Sequence, residues 1–183
     1  MRIKRTLLPL VLLLPALAPA AHAGKFYVGA GVGSSSAELP GGTTQVDFDD
    51  TGYKGFVGYR VLRSLSAELG YTDFGSLDAT MGTTRFDADL QIAALWAVGI
   101  LALSPQVELY GRLGYTAWDA SVTVDDGSNP PQTDDTDGND LGWGVGLGYN
   151  ITPRFCLELD WENYELENAD GVSFTSLGVR FKF

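Results

Sequence analysis

The stretch Phe86-Asp87-Ala88-Asp89-Leu90-Gln91-Ile92-Ala93-Ala94-Leu95-Trp96-Ala97-Val98-Gly99-Ile100 decides the fold. Phe86, Ala88, Leu90, Ile92, Ala94, Trp96, Val98 and Ile100 fall at every second position, and Asp87, Asp89 and Gln91 begin the opposite face. A period of two is that of an extended strand, whose side chains point alternately to the two faces of a sheet. The run is longer than the roughly 9 to 11 residues that a tilted strand needs to cross the hydrocarbon of a bilayer.

Working outward, the same alternation recurs over 25–33, 51–61, 66–74, 107–118, 140–150, 155–165 and 172–183, and after Gly24 no stretch has the spacing of an amphipathic helix. The connections alternate in length. Segments 62–65, 102–106 and 151–154 are short, 34–50, 75–85 and 119–139 are long and polar, and 166–171 is a shorter acidic link. Short turns at one end and longer loops at the other are the pattern of a transmembrane barrel with its loops outside the cell. The expected fold is therefore all-β: an eight-stranded antiparallel up-and-down transmembrane β-barrel over 24–183.

A soluble sandwich also alternates, so the polar face discriminates. The second strand is expected to send Tyr53, Val57 and Tyr59 to lipid and Lys54 and Arg60 inward. The seventh sends Leu157, Leu159 and Trp161 out and Glu158, Asp160 and Glu162 in. Apolar outside and charged inside suit a sheet in lipid, which must close because unpaired backbone there costs several kcal/mol per group. By the same reasoning Asp87 and Asp89 are expected inside.

Residues 1–23 read as a cleaved signal peptide: Arg2, Lys4 and Arg5 precede the apolar run Leu7 to Leu17, and Ala21-His22-Ala23 ends it with small residues at −3 and −1. The mature domain, 24–183, keeps all 23 acids and 9 of the 12 bases, a net charge near −14. That sign argues against a nucleic-acid partner. Cys156 is the only cysteine, so no intrachain disulfide forms, and the only histidine, His22, leaves with the leader.

Ala67-Glu68-Leu69-Gly70-Tyr71-Thr72-Asp73-Phe74-Gly75, Leu109-Tyr110-Gly111-Arg112-Leu113-Gly114-Tyr115, Gly142-Trp143-Gly144-Val145-Gly146-Leu147-Gly148-Tyr149 and the terminal Phe181-Lys182-Phe183 resemble the small outer-membrane barrels related to the OmpA transmembrane domain and to OmpX. The resemblance spans the mature chain and implies that fold and a Gram-negative outer-membrane location. It does not extend to the periplasmic domain of OmpA, so anchoring to the cell wall is not implied. Val179, Phe181 and Phe183, on one face of the last strand, are similar to the C-terminal signal that the outer-membrane insertion machinery recognises.

Inside the barrel, Glu68, Arg112, Glu158 and Arg180 lie at similar depth counted from the turns, and the resemblance implies an interior acid and base network that closes the lumen. Two readings stay open: a network that only packs the core, or a gate whose pairs swap partners. Gly29, Gly31 and Gly33, with Gly142, Gly144, Gly146 and Gly148, form inward glycine stripes that leave room for Tyr110, Trp118, Phe56 or long bases, or for a thin file of water. Cys156 is expected to face the lumen as an inert thiol.

The segment 120–140, with Asp125, Asp126, Asp134, Asp135, Asp137 and Asp140, reads as a flexible solvated loop. Asp135 to Asp140 resembles part of a calcium loop, but Thr133 and Gly144 occupy its first and last ligand positions, so an EF-hand is unsupported. A looser sharing of divalent cations with lipopolysaccharide phosphates remains open. Phe26, Tyr53, Tyr59, Tyr71, Tyr115, Trp143, Tyr149 and Trp161 read as interfacial girdles.

Barrel enzymes such as lipid A deacylases and palmitoyltransferases use a histidine for proton transfer, and the mature chain has none. No catalytic, cofactor-binding or metal-binding residues are assigned. The expected function is a structural, envelope-integrity and surface-interaction role of a monomer. Its partners would be outer-membrane lipid, lipopolysaccharide, the insertion machinery and host-surface or phage contacts at the loops. The alternative is a narrow small-solute channel, porin-like or OmpW-like.

Overall fold

In the computed structural model, residues 25–38, 45–81, 84–125, 132–165 and 172–183 are described, with side chains except at 37–38, 45–50, 76–81, 84–88 and 124–125. The leader 1–23 lies outside the described residues. Eight strands follow one another: β1 Phe26–Glu38, β2 Gln45–Leu62, β3 Leu65–Met81, β4 Thr84–Ala102, β5 Val107–Asp125, β6 Gln132–Asn150, β7 Phe155–Tyr164 and β8 Val172–Lys182. Each pairs antiparallel with the next, and β1 pairs with β8 from Tyr27↔Lys182 to Ala37↔Val172, so the sheet closes on itself. Closure satisfies every edge within the bilayer, as a strand in lipid requires.

Alternation places the side chains as the seventh strand foretold: Cys156, Glu158, Asp160, Glu162 and Tyr164 are buried inside, and Leu157 and Leu159 face out. The eight aromatics read as girdles all stand on the outer wall, where Phe26 and Tyr59 stack at 4.8 Å and Trp143 and Trp161 at 4.9 Å.

Strand β4 corrects the expectation. Ile92, Ala94, Trp96, Val98 and Ile100 are buried in the lumen, whereas Ala93, Leu95, Ala97, Gly99 and Leu101 face lipid and Asp89 is exposed. Asp87 lies outside the described side chains. From Ile92 to Leu101 both faces are apolar, so alternation cannot tell inside from outside. The bulkier face goes inward because neighbouring strands make room: a Cβ on Gly142 would sit 2.6 Å from Trp96 Cη2, and one on Gly70 3.4 Å from Trp96 Nε1.

The strands also run beyond the expected spans. β5 and β6 pair as far as Val124↔Gln132, so 132–139, read as loop, is strand. The polar ladder needs no apolar face because it stands in water. It is tied by Ser121 Oγ donating to Asp135 Oδ1 at 2.9 Å and by the Thr123 and Thr133 hydroxyls at 3.0 Å. At about 3.3 Å per residue, the 19 residues of β4, β5 and β6 extend well past a membrane that the 10 residues of β7 just cross. The wall is therefore tall from β2 to β6 and low at β7 and β8. The projecting edge of β6 has no strand partner among the described residues before Gly142↔Tyr164, and Asp134, Asp135 and Asp137 on it disfavour pairing with another chain.

A bulge between Asp73 and Ser76 bends β3 where the extension begins. Gly75 sits there at φ 76, which glycine adopts without strain, and donates its N–H to Asp73 Oδ1 at 3.0 Å.

Candidate functional site

The lumen is filled in two layers. Toward the loop end, Phe74, Trp96, Tyr164 and Phe174 pack edge-on or tilted, with ring centroids 5.4 Å apart for Phe74 and Phe174, 5.6 Å for Phe74 and Tyr164, and 5.9 Å for Trp96 and Tyr164. Trp118 joins them, its Nε1 donating to Asp140 Oδ2 at 2.7 Å.

Below lies the charged layer. The strands deliver it by parity alone: Lys54 from β2, Glu68 from β3, Glu108 and Arg112 from β5, Glu158, Asp160 and Glu162 from β7, and Arg180 from β8, all buried. Its upper part centres on β7. Lys54 Nζ is 2.6 Å from Asp160 Oδ2 and 3.1 Å from Glu162 Oε1. Arg112 Nη2 is 3.1 Å from Asp160 Oδ1, and Arg112 Nη1 donates to Glu162 Oε1. Tyrosines complete the carboxylates: Tyr110 donates to Asp160 at 2.6 Å and Tyr164 to Glu162 at 2.9 Å.

The lower part centres on Arg180, which donates through Nη2 to Glu108 and lies with Nε 3.1 Å from Glu158 Oε1. The Glu158 contact is a charge pair without hydrogen-bond alignment, since Arg180 Nε has no hydrogen-bond acceptor among the described residues. Arg60 and Lys182 each approach Glu108 to 3.7 Å at the turn-side mouth, and Lys182 donates to Asn150 at 2.8 Å. The guanidinium of Arg180 also covers the rings of Tyr27 at 5.3 Å and Tyr110 at 5.7 Å.

The four residues singled out in the sequence are thus arranged as two pairs. Arg112 Nη1 lies 3.8 Å from Glu68 Oε2, and Arg180 lies beside Glu158, in adjacent layers bridged by Tyr27, whose hydroxyl donates to Glu68 at 2.7 Å, and by Tyr110. The stronger partners of Arg112 are Asp160 and Glu162, and Lys54 shares both. Parity gave the inward set but not the partners, because the stagger between strands decides which inward residues meet. Tyr27 and Tyr164 are members that sequence reasoning missed, although the alternation of Tyr27 with Gly29 and Gly31, and of Tyr164 with Asp160 and Glu162, carried the signal.

The glycines of β6 shape this layer. A Cβ on Gly144 would lie 3.1 Å from Glu162 Cγ and 3.2 Å from Arg112 Cγ, one on Gly148 would lie 2.9 Å from Glu108 Cγ, and one on Gly146 would land on the Tyr110 ring. At these positions the space beside the glycine is taken by side chains of the network. Cys156 is buried at its foot, 3.5 Å from Arg180 Nη2. Among the described residues no group of three or more His, Cys, Asp or Glu side chains is placed to hold a metal ion.

A closed eight-stranded barrel with a lipid-facing apolar wall and a packed, ion-paired interior defines an integral outer-membrane barrel protein. The chain belongs to the outer membrane protein beta-barrel domain family, whose model matches residues 6–183. No curated protein matches the sequence closely enough to count as a relative.

Solved structures of similar shape include Ail, the attachment invasion locus protein of Yersinia pestis, at 19% identity and TM-score 0.63, with 88% of this chain and 99% of that one covered. Neisserial surface protein A matches at 20% identity and TM-score 0.67, with 86% and 97% covered. The N-terminal barrel of Pseudomonas aeruginosa OprF matches at 18% identity and TM-score 0.57, with 88% and 99% covered. At these identities the likeness is one of fold.

Proposed function

We propose that the protein is a structural component of the outer membrane, a monomeric barrel sealed by its interior charges that holds an acidic sheet above the cell surface for envelope integrity and contact with other surfaces. The observation that carries this reading is the tethering of Lys54, Arg112 and Arg180, each against two or more carboxylates across the lumen. Charges buried and paired this way are costly to separate, so the network favours one closed arrangement. Residues 1–23 are removed on export, and Val179, Phe181 and Phe183 serve as the insertion signal. No catalysis follows from this interior, where each carboxylate faces a cation or tyrosine and the mature chain lacks histidine.

Lipopolysaccharide and host or phage surfaces are the partners of the projecting sheet. One structure of Ail holds a heparin analogue, sucrose octasulfate. The exposed acids Asp89, Asp119, Asp134 and Asp137 here suit cationic surfaces, or phosphates only through shared divalent cations.

A narrow channel is the second reading. Its support is that Glu68 Oε2 and Glu158 Oε2 are buried without a hydrogen-bond donor among the described residues, as the wall of a thin water file would be. Planar bilayer recording separates the two. The sealed barrel gives no conductance in wild type or in Arg180→Ala, whereas unitary currents in wild type, altered by Arg180→Ala, overturn the proposal. A deletion strain should then show envelope leakage or lost surface adhesion.

A further inference from the structure

The charges outside the lumen are sorted along the barrel axis. The turn segments 63–64, 103–106 and 151–154 hold no acid and contain Arg63 and Arg154, with Lys25 beside them at the start of β1. The exposed acids whose side chains are described all lie toward the loop end. Short turns face the periplasm in such barrels, so the basic rim stands at the level of the phospholipid headgroups of the inner leaflet. Arg63 is exposed and has no ion-pair partner among the described residues.

Beside that turn, the lipid-facing wall carries a groove of about 410 Å³ lined by Ser64, Gly99, Leu101, Leu109, Gly111 and Val145. Its floor lies where Gly99 on β4 pairs with Gly111 on β5. Ile100 N donates to Ser64 O at 2.9 Å, which fixes the turn bearing Arg63 at the foot of the groove.

Nothing inside the protein demands this hollow. A Cβ on Gly99 would meet no atom closer than Gly111 O at 3.9 Å, and one on Gly111 none closer than Gly144 O at 3.9 Å, in contrast to the crowded lumen glycines. The surrounding positions Leu95, Leu101, Leu113 and Val145 carry the bulky apolar residues usual for a lipid face.

We propose that this groove binds one anionic phospholipid of the periplasmic leaflet, with an acyl chain lying over Gly99 and Gly111 and the phosphate against Arg63. An apolar cleft whose lining reaches Ser64, the residue next to the exposed and unpaired Arg63, matches that ligand's two ends, and basic residues at the membrane surface select anionic headgroups. The inference rests on outer-membrane placement and not on whether the lumen conducts.

The test is native mass spectrometry of the barrel released from nanodiscs of mixed phosphatidylglycerol and phosphatidylcholine. Heat-modifiable gel mobility verifies that each variant is folded. Wild type should retain one phosphatidylglycerol over phosphatidylcholine by about fivefold, the worth of one basic residue at an anionic surface. Arg63→Gln should abolish the preference, and Gly99→Leu should abolish retention itself. Retention without headgroup preference, or a preference that survives Gly99→Leu, overturns the site. So does a wild-type dimer that Gly99→Leu converts to monomer, which would make a second copy of the chain the occupant.

Discussion

Lys54 on β2 reaches across the lumen to Asp160 on β7, with 2.6 Å between Nζ and Oδ2. The two strands are not neighbours in the sheet, so the pair is a strut across the barrel. Both side chains are buried, and removing one takes a charged partner from the other, leaving Asp160 with Arg112 or Lys54 with Glu162. Lys54→Met should lower the unfolding free energy in lipid vesicles by about 3 kcal/mol. Asp160→Asn should cost a similar amount, since Arg112 and Tyr110 also lose an acceptor of full charge. A double-mutant cycle from urea titrations should return a coupling of about 2 kcal/mol. Additive effects would show that the strut does not form.

The crowding at Gly146 gives a prediction with an internal control. A Cβ there would overlap the Tyr110 ring, whereas at Gly55 on the outer wall it would meet only Gly29 O at 4.0 Å. Gly146→Val should lower stability by about 1–3 kcal/mol, the usual range for overpacking, and slow the appearance of the fast-migrating folded band on unboiled gels. Gly55→Val should leave both unchanged. Equal tolerance at the two sites would mean that the lumen has spare volume beside Tyr110.

These residues also show how far the sequence could be read. β7 was legible because acids and apolar side chains strictly alternate from Leu157 to Glu162, so one face had to leave the lipid. β4 was not, because Ile92 to Leu101 is apolar on both faces and only the space left by Gly70, Gly114 and Gly142 selects which face turns inward. The charged residues were found by parity, but their partners were not. The depth count grouped Arg112 with Glu68, but the hydrogen bond from Arg112 Nη1 goes to Glu162, which lies on β7 beside Asp160, and Glu68 is left at 3.8 Å. The extensions of β5 and β6 were invisible for another reason. A strand pair standing in water bears polar residues on both faces, which in composition is the same as a loop.

Cys156 offers a probe of the foot of the network without a new label site. Its thiol is buried, donates to Leu157 O at 3.3 Å and touches Arg180. In the folded barrel it should react with a thiol reagent at least about a hundredfold more slowly than after urea unfolding, because only opening of the closed state exposes it. Glu108→Gln removes one of the carboxylates that hold Arg180 and should raise the folded-state rate several-fold. Fast labelling of folded wild type would place Cys156 outside the packed interior.

The β5–β6 extension, whose β5 strand also pairs with β4 from Gln91↔Asp119 to Arg85↔Asp125, is expected to add little to the stability of the barrel within the membrane. Above Trp118↔Gly138 its β5–β6 pairs are Asp119↔Asp137, Ala120↔Thr136, Ser121↔Asp135, Val122↔Asp134, Thr123↔Thr133 and Val124↔Gln132, and the side-chain links Ser121 to Asp135 and Thr123 to Thr133 stay within the hairpin. The aromatic layer below is anchored by Trp118 to Asp140 at 2.7 Å, which lies outside the removed segment. Replacing 121–135 by Asn-Gly joins Ala120 to Thr136 through a two-residue turn of the kind that suits the twist of an antiparallel pair. The shortened protein should keep its heat-modifiable mobility and change its unfolding free energy by less than about 1 kcal/mol. Hydrogen exchange on the full chain should show the paired amides of 117–123 and 133–139 protected, since they stand in a ladder. If those amides exchange at once, the acidic stretch is a loop after all. If the shortened barrel fails to fold, the tall wall is part of the core.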